Sequence, residues 1–328
     1  MFLKSFFPFL ACLIATTTRN AVGIGPEKNE KQGHMRIVNG TEAEIGRYNY
    51  FACDEARDCG GFLVAPNIVL TAASCDDVYE KGNKVVVGSY NINDKEGTGP
   101  DFIEIKKKIL HPKFDVWSLD NDYMLLVLTK NSSFQPVIIP DNDDFLEPGD
   151  LVYAIGTGET SYYGPDPESE SLLEVGLNTI ENDECDKLYQ KGDFGDITKN
   201  MLCTFTPFKD ACLGDGGGPL IKRGGNAEND VVVGITSFGV GCATEVPGVF
   251  ARVSNKYDWI KKNVEKNGSK LVSWKKLKTP LPSVSPSETP TKSPTKKGKK
   301  KAKNVTKNGK KRRKKEKKVG KLSTIPII

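Results

Sequence analysis

From Ile37 onward, apolar and β-branched residues gather in short runs: 61–65, 67–71, 84–88, 102–110, 123–128, 151–155, 230–236 and 248–252. Clusters of Gly, Pro, Asn and Asp separate them. Many short β-prone runs divided by turn-forming residues predict an antiparallel all-β sandwich or barrel, and the strand-helix alternation of a parallel sheet is missing. Two segments depart from this pattern. Residues 182–190 read as one short helix, and 255–266 place Tyr257, Ile260 and Val264 at helical spacing, closing the domain.

The ends of the chain differ from its body. Lys4 precedes an apolar run from Phe6 to Ala15 that is too short to span a bilayer, the pattern of a secretory signal peptide cleaved within residues 16–21. No other segment is long and apolar enough to cross a membrane. Residues 22–36 are polar, lack apolar periodicity and read as a short pro-segment. Beyond Leu277, residues 279–295 hold five prolines among Ser and Thr, and a Lys/Arg run then extends through Lys321. Such a segment buries too little apolar surface to offset its ordering entropy and is expected to be disordered. The expected layout is therefore a signal peptide (1–21), a pro-segment (22–36), a folded domain (37–270) and a basic tail (271–328).

The net charge of +5 hides a division: 21 basic and two acidic residues from Lys270 onward, against 26 basic and 40 acidic before it. The body carries −14 and the tail +19. A like-charge block of this kind stays extended and binds polyanions by counterion release, here glycosaminoglycans or microbial surfaces; the alternative is a solvated tail that folds back on the acidic body. No aromatic residue interleaves the Lys run, so base stacking is not supported.

Five motifs carry candidate chemistry: Ile37-Val38-Asn39-Gly40 after Arg36, Thr71-Ala72-Ala73-Ser74-Cys75, Asp120-Asn121-Asp122, Gly214-Asp215-Gly216-Gly217-Gly218-Pro219, and Ser237-Phe238-Gly239. In this order, over about 37–266, they resemble the trypsin-like (chymotrypsin-fold) serine proteases. The resemblance implies two six-stranded β-barrels with the site in the cleft between them. It also puts the general-base histidine where this chain has Ser74 and the nucleophilic serine where it has Gly216, leaving only Asp122 of the triad. A serine hydroxyl attacks only when a base of near-neutral pKa takes its proton and a carboxylate orients that base. Glycine has nothing to attack with, and a Ser74 hydroxyl is no base at pH 7. Neither of the two histidines replaces it: His34 lies in the pro-segment, and His111 sits in a His-Pro turn resembling a surface element of the family.

Other family features are retained. The resemblance implies disulfides Cys59–Cys75, Cys185–Cys203 and Cys212–Cys242. Cys12 falls in the signal peptide, and Cys53 is left as either a buried thiol or the bridge of an intermolecular dimer. Arg36 resembles an activation site, where cleavage frees the amino group of Ile37 to meet Asp215. Asp210, with Gly239 and Gly248, resembles the pocket that binds Lys or Arg side chains through charge-assisted hydrogen bonds, either functional or a relic. Gly156-Thr157-Gly158 departs from the family's Gly-Trp-Gly, implying looser local packing, and Ser89 replaces the acidic residue that opens the family's calcium loop, so no metal or other cofactor is expected. Sequons at Asn131, Asn267 and Asn304 are glycosylation candidates; that at Asn39 is disfavoured by its nearness to the activation terminus.

These features together point to a secreted, catalytically inactive serine protease homologue that binds a protein partner in its groove and polyanions through its tail. The alternative is a trypsin-like endopeptidase with weak or unorthodox activity toward Lys and Arg.

Overall fold

The computed structural model describes residues 37–91, 93–158, 170–272 and 274. The signal peptide, the pro-segment with Arg36 and His34, most of the basic tail and Asn304 lie outside the described residues.

Seven strands form the first half of the domain: β1 (Thr41–Glu42), β2 (Phe51–Asp54), β3 (Gly60–Ala65), β4 (Ile68–Thr71), β5 (Lys84–Val87), β6 (Asp101–Leu110) and β7 (Met124–Leu128). Strands β2 to β7 close into an antiparallel barrel in the order β2-β3-β4-β7-β6-β5. A second set follows: β8 (Leu151–Gly156), β9 (Leu173–Ile180), β10 (Met201–Thr204), β11 (Pro219–Lys222), β12 (Val231–Phe238) and β13 (Gly248–Arg252). These close as β8-β9-β10-β13-β12-β11, with β1 paired to β9. The strand pattern's all-β expectation holds, and the double barrel implied by the resemblance is the architecture found.

Burial explains part of what the pattern revealed, since β2 and β10, each four residues long and buried throughout, lie outside the predicted runs. Strands β3, β4 and β7 are buried along their whole length, so they read as unbroken apolar runs. Strand β9 alternates, with Leu173, Val175, Leu177 and Thr179 inward, and its Glu, Gly and Asn positions hide it among polar residues. Strand β11 starts at Pro219, directly after three glycines, and reads as a loop. Helices α1 (Asn182–Gly192) and α2 (Tyr257–Lys266) lie where predicted. Asp183 and Glu184 in the first turn of α1 complement its dipole, and Asp193 ends it in a left-handed conformation. Helix α2 buries Ile260 and Val264 against the core.

All three expected disulfides are present. Cys53 is free and only 1% exposed, and burial pushes its thiol up to about 11. This burial favours the core thiol over the intermolecular bridge.

Two expectations need correction. His111 is not a surface residue. Its ring is buried edge-on against Tyr123 and Trp259, and burial, then Lys256 and Lys113, lower its pKa. The Gly156-Thr157-Gly158 segment is tight rather than loose. Thr157 is buried, and a Cβ on Gly156 would sit 2.0 Å from the Asp215 carboxylate, so the missing side chains make room for that group.

In the loop opened by Ser89, the Arg57 guanidinium donates to Ser89 Oγ (2.7 Å) and to the Asn91 carbonyl, and lies 3.9 Å from Asp94. The positive charge beside that carboxylate therefore comes from the chain itself. Among the described residues, no group of three or more His, Cys, Asp or Glu side chains is arranged to hold a metal ion.

Candidate active-site cleft

The register of the first barrel builds one wall of the cleft. Thr71 at the end of β4 pairs with Met124 at the start of β7, which brings the 3-10 turn Ala73–Cys75 alongside Asp122. The Cys59–Cys75 disulfide ties that turn to β3's approach. Asp122 is fully buried and saturated with donors: Ser74 N–H to Oδ1 (2.7 Å), Ser74 Oγ–H to Oδ2 (2.9 Å) and Ser237 Oγ–H to Oδ2 (2.6 Å). Burial raises its pKa despite these bonds. The Ser74 hydroxyl thus spends its proton on the carboxylate, where an imidazole would present a basic nitrogen to the cleft.

The second barrel supplies the opposite wall. Gly216 lies in the turn before β11, and its carbonyl accepts from Gly60 N–H (2.7 Å), joining the two barrels at the centre of the site. Ser237 on β12 was visible only as part of a motif; the fold gives it a role as a donor to Asp122, and no sequence spacing signals that contact.

Beside Gly216 opens a pocket lined among others by Asp210, Ser237, Gly239 and Gly248. Asp210 lies at its wall, accepts from Ala243 N–H (3.1 Å), and is raised by burial to about 7. A Cβ at Gly248 would lie 2.7 Å from Asp210 Oδ1, so this glycine lets the carboxylate reach the pocket. Asp215 is also buried and raised by burial to about 7, and among the described residues its partners are the N–H groups of Gly158 and Cys212, each at 2.8 Å. Ile37 is fully buried in the core cluster that includes Ala154 on β8, two residues from Gly156, against which the Asp215 carboxylate packs.

The trypsin family model matches residues 37–260, more than half of the chain. This chain is a member of the trypsin family. Trypsin 5G1 of Aedes aegypti is 31% identical over 77% of this chain and 94% of its own. Glucanase inhibitor protein 1 of Phytophthora infestans is 31% identical over 76% of this chain and 96% of its own, and glucanase inhibitor protein 3 of the same organism is 34% identical over 73% and 93%.

In trypsin-family chemistry, the N–H groups of the nucleophile position and of the residue two before it hold the developing oxyanion. Here these belong to Gly216 and Gly214, and among the described residues neither donates to a protein acceptor. The cleft therefore brings together Asp122, Ser74 and Gly216, two unpaired backbone N–H groups and the Asp210 pocket.

The pocket makes a prediction with a definite sign. A benzamidinium or arginine side chain needs Asp210 ionised, and desolvation holds that carboxyl at about 7. Benzamidine affinity is expected to be full above that value and to fall about tenfold per pH unit below it, and to be lost in Asp210→Ser. Titration calorimetry from pH 5.5 to 8.5 checks this; pH-independent binding would place the ligand elsewhere.

Proposed function

We propose that this trypsin-family protein is a secreted pseudoprotease that acts by binding a protein partner across its cleft. The observation that carries the reading is the Ser74–Asp122 hydrogen bond opposite Gly216: the carboxylate that would orient a base is bonded to a hydroxyl, and the attacking position has no side chain. The relatives named glucanase inhibitor proteins support a binding role and make a glucanase the first partner class to test. The apolar leader supports secretion. Cleavage after Arg36 would add an ammonium at Ile37 near Asp215, completing the second barrel without creating activity. The +19 tail would hold the molecule on anionic glycans or microbial surfaces.

The test has two parts. The protein cleaved after Arg36 is assayed with an arginine ester, and turnover is expected to stay on the order of 10⁶-fold below that of an intact triad. Full-length and tail-deleted proteins are eluted from heparin with salt, and the full chain should need the higher concentration. The Asp210 pocket favours one rival, a weak Lys/Arg hydrolase; ester turnover that disappears in Asp210→Ser would establish it in place of the binding reading.

A further inference from the structure

The loop that leads into Asp122 presents an unusual surface. Trp117 is 92% exposed and Val116 is 62% exposed, at the tip of the segment 115–120. Among the described residues, no ring stacks on the indole and nothing accepts its N–H. Yet the loop beneath it is fastened. The Asp115 carboxylate accepts from the N–H groups of Trp117 (2.8 Å) and Ser118 (3.1 Å), and Asp115 N–H closes the turn onto the Asp120 carbonyl. Asp120 in turn accepts from Thr198 Oγ1 (2.7 Å) and Asn200 Nδ2 (2.9 Å), fixing the loop to the segment before β10 in the second barrel. Leu119 is buried with φ 53°, and Asn121 holds φ 59°, conformations that non-glycine residues adopt only when their surroundings impose them.

An indole left in water on a preorganised loop costs little further entropy when a partner covers it, and tryptophan is the residue type most often found to dominate interface energy. We propose that Trp117, with Val116, is the anchor of the partner interface, entering a concave apolar pocket on a folded protein that also offers an acceptor for the indole N–H. This rests on the binding reading above and names its contact surface. The glycan cleft of a glucanase fits the requirement: it is an open groove shaped to the faces of sugar rings, and its pair of carboxylates can accept the indole N–H.

The experiment measures binding of the full chain, and of Trp117→Ala, Trp117→Phe and Asp120→Ala variants, to a panel of glucanases of β-1,3, β-1,4 and α-1,4 specificity. Trp117→Ala is expected to weaken binding about 30-fold or more, Trp117→Phe less, and an oligosaccharide product of the bound glucanase should compete. Asp120→Ala should weaken binding with the indole still present, by releasing the loop. If the unmodified chain binds a glucanase and Trp117→Ala binds it equally well, the anchor is overturned and the binding reading stands. If the unmodified chain binds none of the panel, the glucanase-directed reading fails and takes the anchor with it. Trp117-dependent binding to phosphatidylcholine or phosphatidylserine vesicles would overturn the protein pocket in favour of a lipid contact.

Discussion

A chain carrying Ser74→His and Gly216→Ser together, cleaved after Arg36, is expected to hydrolyse an arginine ester, whereas neither single substitution does. The geometry supplies what the two side chains need. Asp122 Oδ2 already accepts the Ser74 hydroxyl at 2.9 Å and the Ser237 hydroxyl at 2.6 Å, so an imidazole at position 74 would find its Nδ1–H acceptor in place. Gly216 is not among the residues with positive φ, so a serine there meets no backbone strain. The N–H groups of Gly214 and Gly216 remain available for the oxyanion, and Asp210 waits for the guanidinium. Nucleophile and base act as one unit, and loss of either costs on the order of 10⁶ in kcat, so each single variant stays at background while the pair gains roughly 10³-fold or more. Covalent labelling by a phosphonyl fluoride reads the same outcome independently of turnover. A folded double variant that neither labels nor hydrolyses would mean that the cleft has drifted from its catalytic geometry beyond these two positions.

How far the site was legible in the sequence depends on the kind of contact involved. Ser74, Asp122 and Gly216 are recoverable because each sits inside a contiguous motif, and the β4–β7 register that joins the first two follows from the fold those motifs imply. The long buried strands announce themselves through apolar runs, whereas β9 and β11 do not, because the Glu, Gly and Asn positions alternating through β9 and a start at Pro219 look like loops. The bond from Ser237 to Asp122 spans 115 residues and two barrels, and no local pattern encodes it. His111 misled for a related reason: a His-Pro pair reads as a surface turn, yet Trp259 on α2 covers it, and that covering is set by where the last helix docks. Gly156 and Gly158 looked like a loss of packing until Asp215 appeared against them. Tertiary proximity, not residue type, decided each of these.

Asp122→Ala is expected to destabilise the domain by about 2 to 5 kcal/mol, although no base remains for the carboxylate to orient. The substitution strands three donors around a buried position: the backbone N–H and hydroxyl of half-buried Ser74 and the hydroxyl of buried Ser237. For a domain of this size the loss corresponds to a fall in Tm of roughly 5 to 15 °C. Asp122→Asn keeps one acceptor oxygen and the volume, so its loss should be smaller. The comparison also has a pH signature. Burial raises the folded-state pKa of Asp122, as it raises Asp210 and Asp215 to about 7, above their ordinary carboxylate value of 3.8. A group raised in this direction contributes stability that is complete below the unfolded pKa and declines as pH rises through the folded one. Between about pH 4 and 7 the uncleaved protein should therefore lose stability through Asp210 and Asp215, and Asp122→Asn should narrow its deficit against the unmodified chain as pH rises above the ordinary carboxylate range. Urea unfolding of the three proteins at several pH values separates the two effects. If Asp122→Ala matched the unmodified chain throughout, the carboxylate would be a relic of catalysis with no part in holding the cleft together.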